Sequence, residues 1–425
     1  MNLIAELQER NLVQDIMPGT EEQLMKEMTS GYIGFDPTAD SLHVGSLLPI
    51  TLLMRLQRAG HKPYALVGGA TGMIGDPSGK SQERNLLDVD TIRKNCDGIR
   101  SQLERFLDFS DNDANGAVLV NNYDWFKDFS FLDFIRDAGK HISINYMLAK
   151  DSVQKRLETG MSFTEFTYQL IQGYDFFHLC NNHNVKLQMG GADQWGNIVT
   201  GTELIRRKGG PDAFAFTCTL ITKSDGSKFG KSETGNVWLD RNRTSPYKFY
   251  QFWLNLPDTD AAKMALVFSF KPVAEIKALI AEHEIAPHQR KLQKSIADEM
   301  TIMVHSEEDL AFAKQASEIL FGQSSVEVLR SLSEQQLLEV MDGVSQVTGS
   351  LSALTEGLDL ITFLAESGVF ASKGEAKKML QNGGVSINKE KVTALDFKIT
   401  SQHLLNDKYI LVQKGKKDYT LAMFG

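Results

Sequence analysis

Residues 31–45 read GYIGFDPTADSLHVG, and this stretch constrains the fold more than any other. A short apolar run closes on Gly34-Phe35-Asp36-Pro37-Thr38. A polar turn follows, and His43-Val44-Gly45-Ser46 opens a new apolar segment, Leu47 to Leu56. The pattern predicts a strand, a loop and a helix start. Helix N-termini carry unpaired N–H groups and partial positive charge, which suits phosphate. Gly45 has no Cβ and lets a ligand approach the backbone, and His43 can donate to phosphate oxygens. An ordinary strand–helix turn with a surface histidine would read the same way, so the stretch needs support from elsewhere in the chain.

That support recurs at two more strand ends. Tyr64 to Val67 reads as a short buried strand running into Gly68-Gly69-Ala70-Thr71-Gly72-Met73-Ile74-Gly75-Asp76. Strand, helix and strand at this spacing form a βαβ unit, hence a parallel sheet. Ligands of such sheets bind at the carboxyl ends of the strands. A GxGxxG dinucleotide fingerprint is absent. Val185 to Met189 is a further strand, running into Gly190-Gly191-Ala192-Asp193-Gln194-Trp195-Gly196-Asn197 and a helix through Arg207. Ser162 to Asp175 predicts a helix on which Tyr168, Gln172 and Asp175 share one face. A polar stripe is ordinarily a solvated face. Here its neighbours are apolar and aromatic, and buried polar groups need partners, a ligand being one. Lys228 and Lys231 stand in the Gly/Ser-rich loop Lys223 to Ser232. They make it cationic and phosphate-seeking, although such loops are also common on plain surfaces.

With 425 residues, 42% of them hydrophobic and 23% charged, the chain reads as two or three globular domains. A net charge of -9 argues against the whole molecule acting as a polycation. Cys96, Cys180 and Cys218 form no CxxC pair. Neither a zinc site nor a disulfide framework is expected, and a reducing cytoplasm is. The start, MNLIAELQER, lacks a signal-peptide core, and no apolar run approaches the roughly 20 residues that span a bilayer. Helices are expected over 2–17 and 20–28, mostly helix from 86 to 180, a strand-free helical stretch over 245–322, and a polar connector over 323–356. The tail, 371–425, holds ten lysines and five acids. Its helix Lys373 to Gln381 and strand Val385 to Ile387 predict a folded basic module that suits nucleic acid.

Taken together, the motifs carry a resemblance. HVGS after a strand resembles the HIGH signature of class I aminoacyl-tRNA synthetases, and KFGKS resembles their KMSKS loop. GFDPTADSLHVG, GGATGMIGDPSGK, FTEFTYQLIQGYDF, GGADQWGN and TSPYKFYQFW look like bacterial tyrosyl-tRNA synthetases. ASKGEAKKMLQNGGVSIN is similar to the αL RNA-binding module first seen in a ribosomal protein. The resemblance covers essentially the whole chain in order.

It implies an α/β fold: a Rossmann-like parallel-sheet catalytic domain over 1–225 with a helical dimerisation insertion at about 105–160. A KMSKS-type loop (226–244), a helical anticodon-arm domain (245–322), the connector (323–356) and a small α+β RNA-binding domain (357–425) follow. It implies a cytoplasmic homodimer, not bound to membrane, that uses ATP with Mg2+ and holds no protein-bound metal. Tyrosine attacks the α-phosphate of ATP, and tyrosyl-adenylate then esterifies the terminal adenosine of tRNA(Tyr). Catalysis of that kind is positioning plus electrostatic stabilisation of leaving phosphates.

By resemblance, Thr38, His43, Lys80, Arg84, Lys228 and Lys231 serve those phosphates. Tyr32 and Asp175 bind the phenolic hydroxyl, and Asp76, Tyr168 and Gln172 hold the ammonium. Gly34, Asp36, His43, Gly45, Ser46, Gly191, Asp193, Gln194 and Lys231 contact ATP or the adenylate, with Gln188 a weaker candidate. Ser46 replaces the second histidine of HIGH and cannot carry charge, so some electrostatic help is lost there. Tryptophanyl-tRNA synthetases share the fold, and a catalytically silent relative or an enzyme making a small adenylate without tRNA are the other readings. Tyr32 with Asp175, the basic tail and the three residues His43, Lys228 and Lys231 speak against them.

Overall fold

The computed structural model describes residues 2–78, 86–110, 113–150, 153–154, 160–224, 226, 229–232, 235–321, 326–342, 344–415 and 418–425, without the side chains of Lys231, Ser232 and 319–321. Two compact units form: 1–244 with 248–305, and 245–247 with 306–425.

The first unit is built on a six-stranded sheet. Its strands are β1 (Val13–Ile16), β2 (Ser30–Phe35), β3 (Lys62–Val67), β4 (Val118–Asn121), β5 (Val185–Gly191) and β6 (Phe214–Cys218). The spatial order is β1-β6-β5-β2-β3-β4; β1 runs antiparallel to β6 and every other neighbour pair is parallel. Buried parallel strands read as continuous apolar runs, and β3 is one, its last five residues all buried. The order runs outward in both directions from β2 and β5, so the topological switch lies between them. In open α/β sheets a ligand crevice forms at such a switch point, outside the carboxyl ends of the strands. Helix Leu47–Arg58 links β2 to β3 and buries Leu48, Ile50, Leu52, Leu53 and Leu56. Helix Phe163–His183 leads into β5. A capping box starts it, Ser162 and Glu165 each bonding the other's backbone N–H.

Two expectations about helices change. Residues 13–16 do not continue the first helix, which ends at Glu9; they form β1, and Thr217 donates to Asp15 Oδ2 at 2.8 Å. Residues 118–121 interrupt the expected helical region as β4, paired with β3. In both places pairing with a distant strand outweighs local propensity.

The helices Pro246–Leu254, Asp258–Phe268, Val273–Ile285 and Lys291–Val304 follow. From residue 248 onward they belong to the first unit, whereas Glu307–Phe321 belongs to the second, so the expected helical stretch 245–322 is divided. Two buried arginines anchor the carboxyl end of Asp258–Phe268. Arg10 donates to the Leu266 and Ser269 carbonyls at 3.0 and 2.8 Å, Arg55 donates to Ser269 at 2.7 Å, and Glu6 pairs with both guanidinium groups. Buried charges persist when paired and hydrogen-bonded in this way.

A short hairpin, β7 (Lys231–Ser232) with β8 (Gly235–Asn236), precedes those helices. In the second unit the expected connector is largely ordered: it holds helices Val326–Arg330, Glu334–Val340 and Leu351–Thr355 and strand β9 (Ser345–Gly349). The remaining strands are β10 (Leu358–Asp359), β11 (Val385–Ile387), β12 (Glu390–Val392), β13 (Lys398–Ile399), β14 (Tyr409–Lys414) and β15 (Asp418–Phe424). Four of them join β9 in a five-stranded sheet in the order β12-β11-β14-β15-β9, with β15 parallel to β9. Helix Lys373–Gln381 lies where the sequence predicts it, capped by Ser372. Leu360, Leu364, Phe370, Ile410, Val412 and Phe424 form the core of this unit. Among the described residues no helix is long and apolar enough to cross a membrane.

Candidate active site

Two cavities open around the carboxyl ends of β2 and β5 and share Pro49, Gly190 and Gly191 in their walls. The first encloses about 260 Å³ and the second about 570 Å³. This is the switch point that the strand order predicts.

At one end of the first cavity lie Tyr32 and Asp175, each at most 2% exposed. Asp175 Oδ1 accepts from Trp125 Nε1 at 2.9 Å, and Oδ2 accepts from Asn122 Nδ2 at 3.1 Å. Burial pushes the Asp175 carboxyl up to about 8, against the pull of those two donors. The Tyr32 hydroxyl is buried without a hydrogen-bond partner among the described residues, and so is Gln188 Oε1 in the same wall. Burial and the nearby Asp175 charge both raise the Tyr32 pKa. Orphaned buried polar atoms of this kind cost free energy until something pairs with them.

The rest of the lining is acidic and already networked, and Asn122 Nδ2 joins it to the Asp175 end by also donating to Thr71 Oγ1 at 3.1 Å. Tyr168 donates to Asp36 Oδ2 and Thr71 to Asp36 Oδ1, both at 2.8 Å. Gln194 donates to Asp76 Oδ2 at 2.8 Å, and Asn197 donates to Gln172 Oε1 at 2.9 Å. Two carboxylates, a phenol and an amide oxygen thus face a space that suits a small cation.

The second cavity is lined by the His43 turn. The backbone N–H of Gly45 donates to His43 Nδ1 at 3.0 Å, which places the proton of the neutral ring on Nε2. A Cβ at 45 would lie 2.7 Å from His43 Cε1, so any side chain there would push the imidazole out of this position. The segment after β8 is laced to this turn: Val44 N–H donates to the Val237 carbonyl at 2.8 Å and Leu239 N–H to the Leu42 carbonyl at 2.9 Å. Gly230, at φ +92°, backs directly onto it, and a Cβ there would sit 2.7 Å from the Gly45 nitrogen. Phe229, within the lysine-bearing loop, and Asn236, just beyond it, line the cavity with Asp193.

The sequence-predicted residues distribute as follows. Tyr32, Gly34, Asp36, Thr38, Asp76, Tyr168, Gln172, Asp175 and Gln194 line the first cavity, His43, Gly45 and Asp193 the second, and Gly191 both. Ser46, at the start of helix Leu47–Arg58, lines neither. Lys231 is in β7 opposite Asn236. Its side chain, and all of Lys80, Arg84 and Lys228, lie outside the described residues. Sequence reasoning missed Asn122, Trp125, Thr71 and Asn197. The signal for Asn122 was an apolar run, Val118-Leu119-Val120, closing on two asparagines.

The family model described as tRNA synthetases class I (W and Y) matches residues 25–322. That of the tyrosine–tRNA ligase SYY-like C-terminal domain matches residues 337–422. The tyrosine–tRNA ligase of Bacteroides thetaiotaomicron is 60% identical over 428 residues, covering 100% of both chains. The chain belongs to the tyrosine–tRNA ligase family. The Flavobacterium johnsoniae member of that family is 59% identical over 98% of each chain. Among solved structures, the C-terminally truncated mitochondrial tyrosyl-tRNA synthetase of Aspergillus nidulans is similar at TM-score 0.66 and 28% identity, over 75% of this chain and 94% of its own. The Archaeoglobus fulgidus tyrosyl-tRNA synthetase complexed with L-tyrosine shares the fold, at TM-score 0.55 and 16% identity over 74% of this chain and 99% of its own.

Proposed function

We propose that this chain activates L-tyrosine with ATP to tyrosyl-adenylate and pyrophosphate, then passes the tyrosyl group to the 3'-terminal adenosine of tRNA(Tyr). The observation that carries this reading is the buried Tyr32–Asp175 end of the first cavity. A phenolic hydroxyl entering there donates to the Asp175 carboxylate and accepts from the Tyr32 hydroxyl, which has no partner without it. Phenylalanine leaves the Tyr32 hydroxyl buried and unpaired, at a cost of about 1–3 kcal/mol, and gives Asp175 no partner beyond Trp125 and Asn122. Asp76, Tyr168 and Gln172 hold the ammonium. The tyrosine carboxylate then points along Gly190 and Gly191, the wall shared with the second cavity, and meets the α-phosphate of ATP. It is itself the nucleophile, so the protein supplies position and charge.

His43 donates from Nε2 to the departing phosphates, and Lys80, Arg84, Lys228 and Lys231 supply the cations. Asp36, Asp193 and Gln194 contact the adenylate. Magnesium enters with ATP, whose phosphate oxygens suit it, and offsets part of the triphosphate charge. The basic tail engages tRNA through its phosphates. The protein works in the cytoplasm as a homodimer. Phe131 and Leu132 on helix Phe131–Asp137, Ile144 on helix Ile144–Leu148 and Phe163 are 63–70% exposed, and an exposed apolar set of that size supports an interface there.

Tyrosine-dependent exchange of pyrophosphate into ATP tests the reading. We expect exchange with tyrosine and not with tryptophan, and salt-sensitive charging of tRNA(Tyr). Exchange with tryptophan alone, or with no amino acid, refutes it.

A further inference from the structure

Trp125 is held from two directions. Its Nε1–H donates to Asp175 Oδ1 at 2.9 Å. Its face lies against the His178 imidazole, with ring centroids 4.4 Å apart and planes 14° from parallel. Asp175 and His178 are three residues apart on helix Phe163–His183, so one face of that helix presents both the acceptor and the stacking plane. The imidazole is itself fixed. Asn182 Nδ2 lies 3.2 Å from His178 Nδ1 and donates to the His178 carbonyl at 3.0 Å. The rings of His183 and Tyr174 flank it at 6.1 and 6.4 Å.

Hydrogen bonds weaken steeply as donor and acceptor fall out of line. Rotation of the indole about its side-chain torsions swings Nε1 away from the carboxylate, and a ring stacked flat on its face opposes that rotation. We propose that His178 is a positioning residue for amino-acid selection. By fixing the plane of Trp125 it keeps the Asp175 carboxylate aimed at the phenolic hydroxyl, and so adds to the preference for tyrosine over phenylalanine. The inference rests on the assignment of Tyr32 and Asp175 proposed above.

A ring that merely fills space would, when removed, lower stability and move the constants for both substrates together. A positioning ring moves one of them. The test is pyrophosphate exchange by the full chain, with tyrosine, phenylalanine and ATP each varied. We expect His178→Ala to raise KM for tyrosine roughly three- to ten-fold, the range a stacked ring pair is worth, with KM for ATP and kcat unchanged. The tyrosine-to-phenylalanine ratio of kcat/KM falls with it. His178→Phe retains the stacking plane and brings KM back to within about two-fold of the wild type. In a Trp125→Phe background, where the indole N–H is gone, the effect of His178→Ala disappears. If His178→Ala does not fold, His178→Gln removes the plane while keeping a polar side chain, and the same expectations apply. An unchanged tyrosine KM overturns the proposal, as does equal loss toward tyrosine and ATP, a His178→Phe variant as impaired as the alanine one, or a full effect in the Trp125→Phe background. A wild type with no tyrosine-dependent exchange instead refutes the function proposed above.

Discussion

Asp175 is the buried carboxyl of the amino-acid cavity, and replacing it by asparagine isolates what its titration does to the protein itself. Burial moves its carboxyl from 3.8 to about 8. The folded state therefore holds a proton there that the unfolded chain has already released across that interval. A raised pKa of this kind contributes stability that is complete below the unfolded value near 3.8 and is lost as the pH climbs through about 8. The interval from 3.8 to about 8, at about 1.4 kcal/mol per pH unit, bounds the loss at roughly 6 kcal/mol. Asp175→Asn keeps the shape and removes the titration. Its amide leaves either Asn122 or Trp125 facing an NH2 group, a cost that does not vary with pH.

The assay is denaturant unfolding without ligands, at about pH 5 and about pH 9, followed by tryptophan fluorescence. Trp125, Trp195, Trp238 and Trp253, the only four tryptophans of the sequence, all belong to the first unit, so the signal reports that unit alone. We expect the wild type to lose roughly 2–4 kcal/mol relative to the asparagine variant between the two pH values, since only about three units of the interval lie above pH 5. Parallel stability curves for the two proteins would refute the reasoning, because they would mean that Asp175 titrates alike folded and unfolded.

Two further perturbations address the nucleotide side and the assembly. Gly230→Ala forces a side chain into a left-handed conformation and against the Gly45 nitrogen, costing about 1–2 kcal/mol in backbone strain and more in the contact. It should slow exchange at least roughly ten-fold while equilibrium dialysis finds tyrosine affinity unchanged; weakened tyrosine binding would contradict the division of labour between the cavities. Leu132→Arg places a charge on a residue that is 70% exposed within the proposed interface. Sedimentation should show the wild type as a dimer and the variant as a monomer, and a monomeric wild type would remove the homodimer from the reading.

Much of the site was legible because its signals are local. Gly34 and Gly190 stand near the carboxyl ends of two parallel strands, and glycines clustered after short runs rich in apolar residues stand out in a sequence. Tyr168, Gln172 and Asp175 share a helical face that is otherwise apolar, a mismatch that marks a buried polar site. What escaped is non-local. Val13–Ile16 and Val118–Asn121 are too short to announce themselves as strands, and each depends on a partner that the chain reaches much earlier or later. Asn122 and Trp125 went unseen with the strand that delivers them, although one is wholly buried and both bond to Asp175. The lacing of Val237 and Leu239 to the His43 turn was also invisible, because backbone pairing leaves no mark on side-chain pattern. Ser345–Gly349 lies in a polar segment and becomes a strand only because β15 runs beside it.

That last pairing carries a consequence for biosynthesis. During translation β9 leaves the ribosome roughly seventy residues before the strand it lies against, and β14 also waits for β15 on one side. Until then the nascent unit displays two unzipped backbone rows, a state that invites pairing with other chains. A ribosome stalled after β14 has emerged and before β15 has would present that hazard on every copy it holds. Chaperone capture of arrested chains should therefore fall sharply once β15 has emerged.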